Sequence, residues 1–322
     1  MPDSTKRHPE PQQRHPEPKA KDLIIQIGNQ SFTNPIFMAS GTFGYGDDLT
    51  DLVDYSKLGA IITKGISLEP RAGNPTPRII ETSAGLINSI GLQNIGLKAF
   101  LKDKAPLYPK LKTRVIANIF GTSIEEFNEL TDAMNRVEAL AGIELNISCP
   151  NVKKGGVEFG VDPKATTEVV KNARSRTKLP IIVKLTPNVT DMTIIAKAAA
   201  DEGADALTVS NTFLSMRIDV LKRRPSLATT FGGISGPAIL PIILRQVWQV
   251  SSAVKIPVIA SGGIMTTHDA LEYLMAGATA IQIGTATYIN PKAAHEILAG
   301  IKDYLTSNNL TLQDLIGIAK EG

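Results

Sequence analysis

The stretch IELNISCPNVKKGGVEFGVDPKATTEVVKNARSRTKLPIIVKL, residues 143–185, decides the fold. It opens on a short apolar run, IELNIS, and closes on another, PIIVKL. Between them TTEVVKNARSRT (166–177) carries apolar residues at three- and four-residue spacing, the pattern of an amphipathic helix. The same rhythm runs along the chain from Leu23 onward. Six more apolar runs read as strands: PIFMAS (35–40), AIITKG (60–65), RVIANI (114–119), ALTVSN (206–211), IPVIAS (256–261) and AIQIGT (280–285), with SIEEFNELTDAMNRVEAL (123–140) as another helical stretch. Continuously apolar strands alternating with helices indicate a parallel sheet covered on its outer face. Eight such units close it into an α/β fold, a (β/α)8 TIM barrel, which about 250 residues plus insertions accommodate. An open doubly wound sheet is the alternative, but no GxGxxG follows the first strand. LIIQI (23–27) and QSFTN (30–34) read as a small hairpin closing the bottom of the barrel.

Residues 1–22 stand apart. They contain the direct repeat RHPEPQQRHPEP, rich in proline and charge, which cannot bury enough apolar surface to order itself. The expected organisation is a disordered tail over 1–22 and one barrel domain over 23–322. The tail has no apolar core of a signal peptide, and no uncharged apolar run of 18 residues occurs, so a membrane span is not expected and the protein is placed in the cytoplasm. Lys+Arg 34 against Asp+Glu 31 leaves a net charge of +3, too small without clustering to imply a nucleic-acid or anionic-membrane surface. One cysteine permits no internal disulfide and no iron-sulfur or structural zinc site, and no metal is expected. His8 and His15 lie in the tail, His268 at a helix start and His295 inside a late helix, so no Ser-His-Asp or Cys-His pair is in view.

Chemistry in such a barrel gathers at the C-terminal strand ends. In order these are Ser40, Lys64, Asn118, Asn146, Lys184, Asn211, Gly262 with Gly263, and Gly284 with Thr285. Any one of these polar residues is ordinary turn chemistry. Their coincidence at successive strand ends, with two lysines among amides, describes a site for an anionic, planar ligand carrying many donors and acceptors. ASGGI and IGTA, after strands seven and eight, supply exposed backbone amides where many barrels bind phosphate, and GGISGPA (232–238) adds a third glycine-rich loop. A phosphate anchor beside a planar polar group near two lysines suggests FMN, whose reduced ring a lysine would stabilise. Cys149 follows the fourth strand; a lone cysteine is by default a small buried hydrophobe.

These residues carry a resemblance. ASGTFGYG (39–46), TKGISLEPRAGNPTPRI (63–79), NSIGLQN (88–94), ELNISCPNVKKGG (144–156), SGPA (235–238) and GTA (284–286) resemble dihydroorotate dehydrogenases, and within them the class 1B catalytic subunits. The likeness covers the chain from about Leu23 to its end. It implies oxidation of (S)-dihydroorotate to orotate in pyrimidine biosynthesis. It implies that FMN is contacted by Ser40, Lys64, Gly65, Asn118, Asn146 and Lys184, and further by Ser210, Gly236, Gly262, Gly263, Gly284 and Thr285. Substrate would touch Lys64, Asn88, Ser89, Ile90, Gly91 and Leu92, together with Asn146, Asn211 and Thr212. Ser210 is a departure, since class 1B members often carry an aliphatic residue there. Cys149 falls where the family has its catalytic base, taking a proton from C5 while a hydride leaves C6 for the flavin; the loop after it, with Gly155 and Gly156 as hinges, would act as a lid.

The resemblance also implies a partner, since this chain has neither a dinucleotide fingerprint nor cysteines for a cluster. A separate electron-transfer subunit would carry FAD and an iron-sulfur cluster and reduce NAD, on a homodimer of this chain that forms the core of a heterotetramer. Three other readings share part of the pattern: a fumarate-linked class 1A enzyme, a dihydropyrimidine dehydrogenase-like FMN barrel, and a non-redox phosphate-binding barrel or silent scaffold.

Overall fold

Eight short strands form a closed, wholly parallel barrel: β1 (Ile36–Met38), β2 (Ala60–Ile62), β3 (Arg114–Ile119), β4 (Leu140–Asn146), β5 (Ile181–Lys184), β6 (Ala206–Val209), β7 (Val258–Ser261) and β8 (Ala280–Ile283). The structure, a computed structural model, describes residues 23–148 and 159–321. Each strand pairs with its neighbours in the sequence, and β8 closes on β1 through Ile281 opposite Ile36. Seven of the strands are buried along their whole length and β3 along all but Arg114, as expected of a parallel sheet under helices. All eight strands read from the sequence are present. The expected hairpin is also there, Ile25–Ile27 antiparallel to Gln30–Phe32.

The helices begin at the strand-end face, where the sequence supplies caps. Ser123 accepts from the Glu126 amide ahead of Ile124–Met134, Asp162 from Ala165 ahead of Pro163–Arg176, and Thr266 forms a reciprocal capping box with Asp269 ahead of Thr267–Met275. The helical reading of 123–140 runs six residues too far. The helix ends at Met134, Val137 and Arg136 turn back onto Met134 and Ala133 carbonyls, and Ala139 takes φ 65°, so Leu140 already enters β4.

A second sheet lies outside the repeat. Ile79–Thr82, Gly85–Asn88, Gly232–Ser235 and Phe213–Ser215 form an antiparallel four-stranded sheet from the long segments after β2 and β6. The sequence reading of GGISGPA as a glycine-rich loop is corrected here: its first four residues are a strand, and only from Gly236, at φ 101°, does the chain turn into Pro237–Ile239. Glycine suits that strand because a Cβ on Gly233 would fall 1.9 Å from Thr212 Oγ1.

Candidate active site

The strand ends converge on a cavity of about 780 Å³, a size suited to cofactor-scale ligands. At its base, Lys184 Nζ at the end of β5 donates to Ser40 Oγ after β1 at 3.1 Å. Asn118 on β3 is fixed twice: its amide N–H donates to Thr63 Oγ1 (3.0 Å) and its Nδ2 to Glu144 Oε1 (2.7 Å). Glu144 on β4 is fully buried and also accepts from Thr208 Oγ1 and Gln282 Nε2, both at 2.8 Å. Three side-chain atoms of cavity-lining residues are buried with no hydrogen-bond partner among the described residues: Asn118 Oδ1, Gln282 Oε1 and Ser89 Oγ.

The walls differ from end to end. At one end stand Gly262, Gly263, Gly236, Gly284 and Thr285, with Thr285 Oγ1 donating to Ser235 Oγ at 2.8 Å. Gly263 shows why no other residue serves: its φ is 77°, and a Cβ would lie 2.6 Å from Leu240 Cβ and 2.8 Å from Leu240 N. At the other end Lys64 and Gly65 follow β2, and the second sheet delivers Asn88, Ser89, Ile90, Gly91 and Leu92. Asn88 is held by its Nδ2 donating to Gly233 O across the sheet at 3.3 Å. Asn146, Ser148 and Asn211 form a chain in which Asn211 Nδ2 donates to Ser148 Oγ and Ser148 donates to Asn146 Oδ1 at 2.6 Å. Thr212 joins through its N–H on Asn211 Oδ1 at 2.8 Å. Lys64 has its ammonium pKa pulled below the ordinary lysine range, first by burial and then by the nearby charge of Arg78, with Asp48 opposing. Two cations at one end of a cavity favour an anion between them.

Every predicted cofactor and substrate residue lines this one cavity, from Ser40 through Thr285. Cys149, with Gly155 and Gly156 of the expected lid, lies outside the described residues. The hydroxyl of Ser210 turns onto Asn211 O at 3.0 Å, so the departure from the family pattern leaves the side chain engaged with its own neighbour. Neither His268 nor His295 lines the cavity. The sequence reading missed Arg78, Ser148, Glu144 and Gln282. Arg78 and Ser148 sit inside strings already singled out, TKGISLEPRAGNPTPRI and ELNISCPNVKKGG. The signal for Glu144 was a charged residue in an otherwise apolar strand, where burial demands dedicated partners.

A family model described as dihydroorotate dehydrogenase matches residues 22–305. The chain belongs to the dihydroorotate dehydrogenase family. Among relatives, a protein of Geotalea daltonii named dihydroorotate dehydrogenase B (NAD(+)), catalytic subunit, is 53% identical over 300 residues, covering 93% of this chain and 98% of that one. A protein of the same name from Geobacter sulfurreducens is 53% identical over 297 residues, covering 92% and 97%. The crystal structure of the Eimeria tenella dihydroorotate dehydrogenase in complex with ferulenol superposes with a TM-score of 0.77 over 94% of this chain and 89% of that one; at 22% identity the likeness speaks for the barrel fold alone. The match to the family model begins at residue 22, where the repeat-containing segment ends.

Proposed function

We propose that this chain oxidises (S)-dihydroorotate to orotate in pyrimidine biosynthesis at the strand-end cavity, with FMN as its cofactor and Cys149 as its base, and that the electrons pass through a partner chain to NAD. The observation that carries this reading is the polarity of the cavity. One end offers glycine backbone and a threonine hydroxyl, as a phosphate requires; the other offers Lys64, Arg78 and three asparagine amides, as a carboxylated ring with alternating N–H and C=O groups requires.

The residues fit FMN. The loops at Gly236, Gly262, Gly263, Gly284 and Thr285, where Gly263 leaves no room for a Cβ, would hold its phosphate, and Lys184 beside Ser40 would meet its electronegative ring edge. When bound, FMN supplies a hydride acceptor at N5. The protein's own tasks are then positional and acid-base. Lys64 and Arg78 hold the substrate carboxylate, Asn88, Asn146 and Asn211 fix the ring edge, and Cys149 accepts the C5 proton while the C6 hydride departs. A thiol with a reference pKa near 8.5 serves as that base at neutral pH when neighbouring cations and amides favour the thiolate.

The relatives above are named catalytic subunits of an NAD(+)-linked enzyme, which supports a second chain as the exit for electrons. We assign that chain FAD and an iron-sulfur cluster, and place two copies of the present chain at the core of a heterotetramer. A hairpin of Ile218–Asp219 and Arg224–Pro225, with Val220 78% and Leu221 91% exposed at its tip, is an apolar surface of the kind that other chains cover. No helix of the described residues is long and apolar enough to cross a membrane, and we place the enzyme in the cytoplasm.

The test is anaerobic mixing of the purified chain with dihydroorotate and, separately, dihydrouracil. Flavin absorption that bleaches with dihydroorotate alone is the expected result. A colourless protein, or bleaching only by dihydrouracil, would overturn the reading.

A further inference from the structure

Arg78 lines the cavity as a cation that, among the described residues, no carboxylate pairs with. Its guanidinium is nevertheless held. Nη2 donates to Gln93 Oε1 at 2.7 Å, whereas Nη1 lies 3.5 Å from Asn74 O, at the outer limit of a hydrogen bond. Gln93 is therefore its principal anchor. It also lines the cavity, directly after the Asn88–Leu92 segment, and both side chains are partly buried.

The local sequence builds this contact from two segments. The Asn74 N–H donates to Ile90 O at 3.0 Å, Asn74 Nδ2 to Ser89 O at 2.9 Å, and the Ser89 N–H to Arg78 O at 2.8 Å. Gly73, at φ 80°, lets them approach: a Cβ there would fall 2.9 Å from both Arg78 Nη1 and Gln93 Cβ. On the other side of Gln93, buried Asn94 accepts from the Ser67 and Gly96 amides and donates to Leu92 O. The backbone that carries Gln93 is thus fixed on both flanks, and its amide oxygen has a defined place.

The choice of acceptor has an electrostatic consequence. A carboxylate at this position would bond the guanidinium more strongly, but would cancel its charge. An amide oxygen fixes the fork and leaves the charge in place. That charge is felt across the cavity end, where burial first and Arg78 second pull the Lys64 pKa down. Holding two cations that repel one another is favourable only when an anion joins them.

We propose that Gln93 is a positioning residue that fixes Arg78 at the substrate end while leaving its charge uncompensated, so that Lys64 and Arg78 together select a carboxylated pyrimidine ring over a neutral one. The inference rests on the reading of this end as the carboxylate site.

The test compares orotate with its neutral carboxamide analogue, titrated by flavin difference spectroscopy into the full-length chain, Gln93→Glu and Gln93→Met. The wild type should prefer orotate by about tenfold or more. Gln93→Glu keeps the shape and gives Arg78 a stronger acceptor, which a purely structural anchor would tolerate. Here it cancels the cation, so orotate should weaken about tenfold while the carboxamide changes by no more than about twofold. Gln93→Met keeps the volume and releases the guanidinium, and orotate should weaken about threefold to tenfold. In an Arg78→Met background the same substitution should cost nothing further, because Gln93 acts through Arg78. Orotate affinity unchanged in Gln93→Glu overturns the proposal, and so does an equal loss for both ligands. An equal Gln93→Met loss with and without Arg78 overturns it independently, which guards against a Gln93→Glu chain that does not fold. A wild type that binds both ligands equally overturns the carboxylate reading and this inference with it, whereas a preference that survives Gln93→Glu overturns this inference alone.

Discussion

The two ends of the cavity are made of different material. The glycine end is backbone, shaped by positive φ at Gly236 (101°), Gly262 (142°) and Gly263 (77°) and packed against Leu240 and Ile239. The cationic end is side chain: Lys64 is half-buried, Asn146 and Asn211 at the barrel rim are tied together through Ser148, and Asn88 is held on the separate sheet. A backbone site fails by strain when it is altered, and takes the fold with it. A side-chain site fails by losing its ligand while the barrel stands. The difference predicts which variants should separate stability from function.

Chemistry should show the largest effect. Cys149→Ser replaces the proposed base with a hydroxyl that is far weaker at neutral pH, and flavin reduction by dihydroorotate should slow roughly a hundredfold to ten-thousandfold while orotate still binds. Stopped-flow reduction at pH 7 that matches the wild type would remove Cys149 from the mechanism. At the glycine end, Gly263→Ala should cost about 2–4 kcal/mol of stability, combining left-handed strain with a Cβ forced against Leu240. Gly284→Ala, whose Cβ would meet nothing closer than Ala39 Cβ at 3.4 Å, should stay within about 0.5 kcal/mol of wild type. Equal denaturation midpoints for the two would break the claim that the backbone at Gly263 is strained into shape.

Much of this contrast was legible in the sequence, for physical reasons. The eight strands announced themselves because parallel strands under helices are apolar throughout, and Ser40, Lys64, Asn118, Asn146 and Lys184 could be grouped because a barrel collects its chemistry at strand ends; Gly65, Ser210 and Gly236 came only from the family resemblance. The second sheet was not legible. Its strands are three or four residues long, one begins with two glycines, and two of its partners are separated by more than a hundred residues, so neither alternation nor turn spacing betrays the pairing of Asn88 with Gly233. Glu144 and Gln282 escaped for a different reason. Within an apolar strand a single polar residue looks like an exception until the alternate strands of one layer are superimposed, which only closure of the barrel does.

At the cationic end the expected loss is in affinity. Lys64→Ala removes a charged donor that, among the described residues, no carboxylate pairs with, so orotate binding should weaken about tenfold to a hundredfold with little change in thermal midpoint. Orotate titration by flavin difference spectroscopy measures it. Unaltered orotate affinity would end the carboxylate assignment, and a collapse of the thermal midpoint would show that this end is as structural as the glycine end.

The smallest effect is a displacement along the pH axis, and it tests the electrostatics directly. Lys64 is held below the ordinary lysine range near 10.4, first by burial and second by Arg78, while Asp48 pulls the other way. The ammonium is the form that holds a carboxylate, so orotate affinity should be complete below this lowered pKa and decline as pH rises through it, earlier than an exposed lysine would allow. Folding carries the opposite sign: the native state sheds the proton while the unfolded chain still keeps it, so this group's contribution to stability rises with pH across the interval between the two values. Arg78→Met removes the second cause but leaves the first, and the affinity inflection should move upward only part of the way toward the ordinary value. Asp48→Asn should move it down. Measuring in a Cys149→Ser background keeps thiol ionisation out of the profile. An inflection that stays in place in both variants would mean that burial alone sets the charge of Lys64, and that Arg78 contributes to the cationic end only through its own contact with the ligand.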